Sequence, residues 1–396
     1  MIGIVCHSCG SPAVASLLDC GIQPVGHRFL SALTEDEYKH PLVVGQCGVC
    51  GLVQLTRPAP VAEIRPRFEW ISYNEPDAHL DVLVEELAAL PGITHDSHVG
   101  AVVFGGDKTL EKFVERGFSN TWRIDLRRDL EVDEPFSGTE TLQDRLTPDS
   151  AVKIASREGL FDMLVIRHLV EHAHGVRRFL AGIRKLLKPG GYAVFEVPDC
   201  ETAFATCDYS ILWEEHVFYF MPATFRHCLE NAGFGVMDMQ RPTYSLVALT
   251  RMTDAPSGKV SVHTLEFEKE RMNRFATSLP TVKRTTREAL NRKVGPVAFF
   301  GAGHMACTFL SLLELNDVVE CVIDDHPMKR GRLMPGTHIP IEGSEALERR
   351  GIRTCLSALS PESETRVIGR NPAFTSSGGR FYSIFAGRPN SLLSES

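Results

Sequence analysis

The chain lacks a surplus of positive charge. Its 42 Lys and Arg stand against 50 Asp and Glu, for a net charge of −8. With no basic excess to meet a run of phosphates, nonspecific nucleic-acid binding is not expected, although a local basic pocket for one small anion stays open. A long apolar run is missing too. None approaches the roughly 20 residues that span a bilayer, so no membrane-spanning segment is expected. The first residues carry no basic segment leading into an apolar stretch, which argues against a secretion signal. There are no tandem repeats and no long low-complexity tracts. What remains is ordinary for a globular protein, with 43% hydrophobic and 23% charged residues, and a cytoplasmic location is expected. At 396 residues the chain is too long for one core, so two or three domains are expected.

In a reducing compartment the 11 cysteines are expected as thiols and metal ligands rather than disulfides. Four are paired, as Cys6-His7-Ser8-Cys9 and Cys47-Gly48-Val49-Cys50. Each CxxC places two thiolates on one turn, and two such knuckles complete a tetrahedral four-sulfur zinc site. Gly10 and Gly51 follow the second Cys of each pair, where the missing side chain lets backbone N–H groups approach the sulfurs. Four thiolates leave no open coordination position, so Cys6, Cys9, Cys47 and Cys50 are predicted to hold a structural Zn2+. A redox dithiol pair and unbound cysteines are the other readings. Cys20 and the remaining cysteines are expected as buried thiols.

Four segments are expected: 1–91 around the knuckles, 92–252 alternating strands and helices, a charged helical connector 253–293 interrupted near Pro280, and 294–396. The most telling stretch runs from Gly159 to Pro198. It reads as a strand (163–166), a helix (176–187), a Lys-Pro-Gly-Gly turn and a second strand (192–197), half of an α/β nucleotide-binding sheet. Such sheets bind ligands at the carboxyl ends of their strands. After the strand 99–104 comes the turn Gly105-Gly106-Asp107-Lys108, whose backbone can approach a cofactor, and a helix over 109–116. Asp125 ends the next strand (121–126), placed for ribose hydroxyls. His168, Glu171 and His172 follow the strand 163–166. His168 can line the pocket. The HxxEH spacing is also that of a metal motif, which the strand-to-helix context disfavours, and His172 and His174 are expected as surface or capping residues. Before a helix over 80–90, Asp77 reads as a cap; equally, Trp70, Tyr73, Asn74, Glu75 and His79 can close over a substrate.

The segment Trp213-Glu214-Glu215-His216-Val217-Phe218-Tyr219-Phe220 sets two acids and a His between aromatics. A His beside a carboxylate can be held in one tautomer and act as a general base. The bland reading is a set of core aromatics with solvent-facing acids. Near the C-terminus a strand leads into Gly301-Ala302-Gly303-His304-Met305-Ala306, with Asp324 and Asp325 about twenty residues on. This fits a dinucleotide-binding turn, a weak signal when alone. Lys329, Arg330 and Arg332 suit either a diphosphate or a solvated turn.

The wording FDMLVIRHLVEH followed by LLKPGG closely resembles class I S-adenosylmethionine (SAM) methyltransferases. The order CxxC…CxxC, this domain with EVPD (196–199), EEHVFYF, then a second Rossmann-like unit with KRGRLMPGTHIPI (329–341), resembles sugar C-methyltransferases acting on nucleotide-linked deoxysugars, in particular 4-keto sugar C-3 methyltransferases. The resemblance spans nearly the whole chain. It implies an α/β protein: a class I methyltransferase (Rossmann-like) domain flanked by a small N-terminal zinc-binding domain and a C-terminal Rossmann-like domain that binds no NAD. It implies SAM and structural zinc as cofactors and a nucleotide-activated sugar as small-molecule partner. His216 takes the family's role of general base, forming an enolate that attacks the SAM methyl, with Glu215 as the carboxylate before it and Tyr73 as a further catalytic candidate. Gly105, Gly106, Asp107, Asp125 and His168 fall to the cofactor; Trp70, Asn74, Glu75, His79, Glu196 and Tyr219 fall to the substrate. The chain departs from the family pattern at three places, the first being the usual acid-x-Gly-x-Gly-x-Gly turn, here reduced to Gly105-Gly106. Trp213 replaces a tyrosine and Glu214 a histidine, and Phe68-Glu69-Trp70-Ile71-Ser72-Tyr73 stands for Tyr-x-Tyr-x-Ser-Ser. These departures leave room for an enzyme that performs base-driven isomerisation, epimerisation or elimination instead, or for a noncatalytic or NAD-binding relative.

Overall fold

The computed structural model describes residues 4–71, 75–254 and 260–393; Tyr73 and Asn74 lie outside them. The strands are, in order, β1 (Val14–Pro24), β2 (Lys39–Cys47), β3 (Val53–Leu55), β4 (Val99–Val102), β5 (Thr121–Arg123), β6 (Phe161–Arg167), β7 (Leu187–Pro198), β8 (Phe218–Tyr219), β9 (Phe234–Gln240) and β10 (Ser245–Met252). β11 (Val297–Phe300), β12 (Val319–Ile323), β13 (Ile341–Glu342), β14 (Thr354–Ser357) and β15 (Arg380–Ser383) follow. Among the described residues they form three sheets, ordered β1-β2-β3-β8, β5-β4-β6-β7-β10-β9 and β13-β12-β11-β14-β15. The chain divides into two compact units. The first gathers Met1–Leu17, Val44–Glu201 and Glu215–Glu270; the second gathers Leu18–Val43, Thr202–Glu214 and Arg271–Ser396.

The six-stranded sheet is parallel from β5 through β7 and ends in the antiparallel pair β10 and β9. Its inner strands β4, β6 and β7 are largely buried on both faces, which is why Met163–Ile166 of β6 reads as an unbroken apolar run. Alternation decides which layer each residue enters. Met163 and Val165 pack with Leu83 and Phe113 of the helices Leu80–Ala88 and Thr109–Glu115. Leu164 and Ile166 pack with Leu180 and Ile183 of the helix Val176–Leu186, in a core that also takes in Cys6, Cys47 and Cys50. Truncating one of these fully buried aliphatic residues to Ala costs about 2–5 kcal/mol. Gly100 of β4 is required by contact: a Cβ there would lie 2.6 Å from Leu164 Cδ2.

Three local expectations are corrected. Lys188-Pro189-Gly190-Gly191 is not a free turn but part of β7, where the register against β6 shifts between Phe161 and Met163. Gly190, at φ +72°, and Gly191, whose Cβ would meet three backbone oxygens within 3.3 Å, let the bulge form without ending the strand. Pro280 lies inside one helix, Val262–Asn291, and does not interrupt it. The strand expected over 121–126 stops at Arg123, because Asp125 caps a short helix, Leu126–Leu130.

The third sheet is parallel throughout. Its glycine turn is satisfied from within: Ala302 N donates to Asp324 Oδ2 (3.0 Å), and Lys329 Nζ bonds both Asp324 (2.9 Å) and the Ala302 carbonyl (2.6 Å). The acid that a dinucleotide ribose would need is thus engaged by the loop itself. Arg330 pairs with Asp325, and Arg332 donates to Ser31 Oγ and the Met328 carbonyl.

Candidate active site and metal centre

The two CxxC knuckles converge. Cys6 Sγ lies 3.6 Å from Cys50 Sγ and Cys9 Sγ 3.7 Å from Cys47 Sγ, and all four sulfurs fall within 4.8 Å of one another. These separations are far above a disulfide bond of about 2 Å and match the edge, roughly 3.8 Å, of a tetrahedron with Zn–S bonds of about 2.3 Å. Both knuckles are built alike. Gly10 N and Gly51 N close each turn on the carbonyls of Cys6 and Cys47, both glycines take left-handed φ, and Cys9 N and Val49 N donate to Cys6 Sγ and Cys47 Sγ. The glycines thus serve the turn, and the neighbouring amides serve the sulfurs. Hydrogen bonding to Cys47 raises the Cys6 and Cys50 thiols above their ordinary range, and hydrogen bonding to Cys50 lowers Cys47. The donor set fits zinc.

The cofactor end of the six-stranded sheet is open where a cofactor backbone would lie. Gly105 has φ +72°, and a Cβ on Gly105 or Gly106 meets no heavy atom within 4 Å. Asp125 is exposed just past the end of β5, with Oδ1 accepting from Arg128 N at 2.7 Å. Asp107 is tied down instead: it accepts from Thr109 N (2.9 Å) and pairs with Arg167. Lys108 pairs with Asp77 at 3.0 Å. Asp77 is not the cap expected of it: His79 holds the N-cap position of the helix Leu80–Ala88, and the Asp77 carbonyl accepts from Leu80 N in the turn before it.

Beneath the turn runs a buried ionic network that the sequence reading missed. Arg167, the last residue of β6, donates from Nε to Glu196 Oε2 (2.6 Å), pairs with Asp107 and donates to the Pro76 carbonyl (2.7 Å). Glu196 also meets His79 Nε2 (3.1 Å) and His168 Nε2 (3.4 Å). Burial disfavours the Glu196 carboxylate, but these three partners outweigh it and hold its pKa well below the usual range. His168 has φ +50°, a strained conformation of the kind concentrated at functional sites. Burial alone would push its pKa down; Glu75, Glu171 and Glu196 reverse this and raise it to about 10. The signal in the sequence was a charged residue, Arg167, directly after the apolar run 163–166.

The segment after Glu214 is pinned from three sides. Leu55 N donates to the Val217 carbonyl (2.9 Å), Phe218 N to the Glu171 carbonyl (3.0 Å) and Cys200 N to the Phe220 carbonyl (3.0 Å). β8 pairs with β3, with Tyr219 opposite Val53. His216 therefore sits beside the loops that follow β6 and β7. Phe218 and Phe220 are core aromatics, but the acid is not on the surface: Glu215 is 0% and His216 7% exposed. His172, expected at the surface, is buried, its Nδ1 3.2 Å from Glu140 Oε1 and its ring edge-to-face with His216 at 4.8 Å. It is held inward because the loop from His168 to Ala173 is folded under the 215–220 segment. His174 is half-buried. Tyr219 is buried with its ring 6.3 Å from His216, Trp70 is half-buried and stacks on Phe68, and Glu75 lies 3.4 Å from His168 Nδ1. In the second unit, Trp213 donates to the Ser210 carbonyl and stacks on His304, and Glu214 accepts from Gly26 N.

Three family models match in succession: "Putative zinc binding domain" over residues 6–64, "Methyltransferase domain" over 104–238 and "C-methyltransferase C-terminal domain" over 263–385. The C-methyltransferase NovU of Streptomyces niveus is 24% identical over 403 residues, spanning 95% of this chain and 94% of NovU. Among solved structures, a 1,6-didemethyltoxoflavin-N1-methyltransferase of Burkholderia thailandensis is 19% identical, covering 45% of this chain and 79% of that one at a TM-score of 0.30. A SAM-dependent methyltransferase of Aquifex aeolicus is 14% identical, covering 45% and 94% at a TM-score of 0.31. With a zinc-binding domain, a methyltransferase domain and the C-terminal domain of C-methyltransferases matched in that order, the chain is a SAM-dependent C-methyltransferase similar over nearly its whole length to NovU.

Proposed function

We propose that this enzyme methylates a carbon beside the ketone of a nucleotide-activated sugar, with His216 as the general base. The observation that carries the reading is the pinning of His216: three backbone hydrogen bonds fix a buried His-carboxylate pair next to the loops after β6 and β7, where sheets of this kind bind ligands. Glu215 is the adjacent carboxylate that the resemblance pairs with the base. Asp125 is placed for the cofactor ribose, and Gly105 and Gly106 leave the space its backbone contacts need. SAM, when bound, supplies a methyl group on a sulfonium whose sulfur accepts the bonding pair. His216 removes the proton alpha to the ketone and so makes that carbon nucleophilic. Glu75 and His79, anchored at His168 and Glu196, border the same end of the sheet and are assigned to the sugar nucleotide.

The test uses the zinc-replete protein with a dTDP-linked 4-keto-6-deoxyhexose. With SAM, a product heavier by one methylene is expected. Without SAM, in D2O, deuterium should enter the carbon beside the ketone. His216→Ala should lose both by at least 100-fold, the scale of a general base. Full turnover in that variant would sink the assignment.

A further inference from the structure

His172 lies beside His216, and Glu140 lies beside His172 and Glu215; neither has a part in the reading above. Glu140 comes from the helix Thr139–Arg145 and is 1% exposed. Its carboxylate and that of Glu171 are buried with no well-aligned hydrogen bond among the described residues. Glu140 Oε1 lies 3.2 Å from His172 Nδ1. One polar atom each of Glu171, His172 and His216 lies within 4.8 Å of the others, and the same holds for Glu140, His172 and Glu215. His172 thus stands between a buried carboxylate and the base.

Proton removal beside a ketone puts negative charge on the ketone oxygen, and that oxygen needs a preorganised donor. We propose that Glu140 is a positioning residue: it holds His172 by Nδ1, and the His172 imidazolium donates from Nε2 to the oxyanion that forms as His216 takes the proton. This rests on His216 being the base. The electrons balance. The C–H bond breaks, the proton goes to His216 and the pair passes through the new C=C bond to oxygen. When the carbon takes the methyl group the C=O bond re-forms, the S–CH3 pair stays on sulfur, and His172 keeps its proton throughout. The groups facing His172 agree with a charged ring. Burial opposes the charge, but the carboxylates of Glu140, Glu171 and Glu215 outweigh it and raise the pKa to about 9; the rings of His174 and His216 are the other titratable neighbours.

Two measurements on full-length, zinc-replete protein decide the matter. Imidazole NMR should find His172 protonated up to a pH of about 9 in the wild type and shifted down by about one unit or more in Glu140→Gln. With the dTDP-linked keto sugar, Glu140→Gln should lower kcat about 10- to 100-fold, as expected when an orienting partner is lost, leave KM within about twofold, and move the alkaline limb of kcat to lower pH. His172→Gln should lose the limb altogether, and it serves in place of Glu140→Gln if that variant does not fold. An ordinary wild-type His172 titration, or an unchanged pH profile in Glu140→Gln, overturns the proposal. If His216→Ala still incorporates deuterium, the base assignment fails and this proposal with it; if His216→Ala is silent while Glu140→Gln is normal, the role of Glu140 alone falls.

Discussion

Asp125 has two duties that substitution can separate. One oxygen caps the helix Leu126–Leu130, and the exposed carboxylate is the group proposed to meet the cofactor ribose. Asp125→Ala removes both, at a cost of about 1 kcal/mol for the cap. Asp125→Asn keeps the capping oxygen and loses the charge. Calorimetry should find SAM binding about tenfold weaker in both variants, whereas urea unfolding should find lower stability in Asp125→Ala alone. Arg167 is the opposite case, a residue whose loss is structural first. Arg167→Ala strands two buried carboxylates, Glu196 and Asp107, and should cost about 3–5 kcal/mol in the same unfolding experiment. Asp125 was singled out because it follows a strand of the sheet, where an acid can meet a ribose. Arg167 was visible as a residue out of place, but its partners come from three separate stretches, and no spacing rule connects them. Glu140 gave no signal, since its meaning lies in a histidine 32 positions away.

At the scale of elements, the least self-sufficient is β8. Two residues cannot hold a strand, and β8 is ordered by pairing with β3, five residues or fewer beyond the second zinc knuckle. The zinc site therefore reaches the proposed base, His216, through backbone. Stripping zinc with a chelator should lower the melting temperature and reduce His216-dependent deuterium incorporation more than tenfold. SAM affinity should change less, because the Gly105 turn and Asp125 hang from β4 and β5. Equal loss of both properties would mean that zinc supports the whole first unit rather than this element. The turn itself is tested by Gly105→Ala. A left-handed residue with a Cβ costs about 1 kcal/mol, and its methyl would occupy the space kept open for cofactor. The strands β4, β6 and β7 could be read from apolar runs, but not β1, whose exposed and half-buried residues break any simple alternation.

For the molecule as a whole, the ionic network under the cofactor turn predicts a pH dependence. His168 has a folded pKa raised to about 10, against about 6.5 unfolded. Its stabilising contribution is full below about 6.5 and is lost as pH rises through 10. Glu196 is depressed, so its contribution is full above about 4.3 and disappears in acid. Melting temperature should therefore hold between these limits and decline steadily from neutral pH to 10. His168→Gln, lacking the titrating group, should flatten that alkaline decline. No described helix is long and apolar enough to cross a membrane.

The sequence by itself determined the knuckles, the sheet and the order of domains, because these follow from local spacing: two cysteines on a turn, apolar runs between glycines, an acid at a strand end. It also singled out His216 and Glu215 by their composition. Tertiary structure alone decided that His172 is buried, that Asp107 and Glu196 are bound to Arg167, that Asp324 closes its own glycine turn, and that Glu140 meets His172. The reason is physical. Burying a charge is costly unless a partner arrives with it, and the partner is supplied by whichever strand or helix folds nearby, which no stretch of sequence records alone.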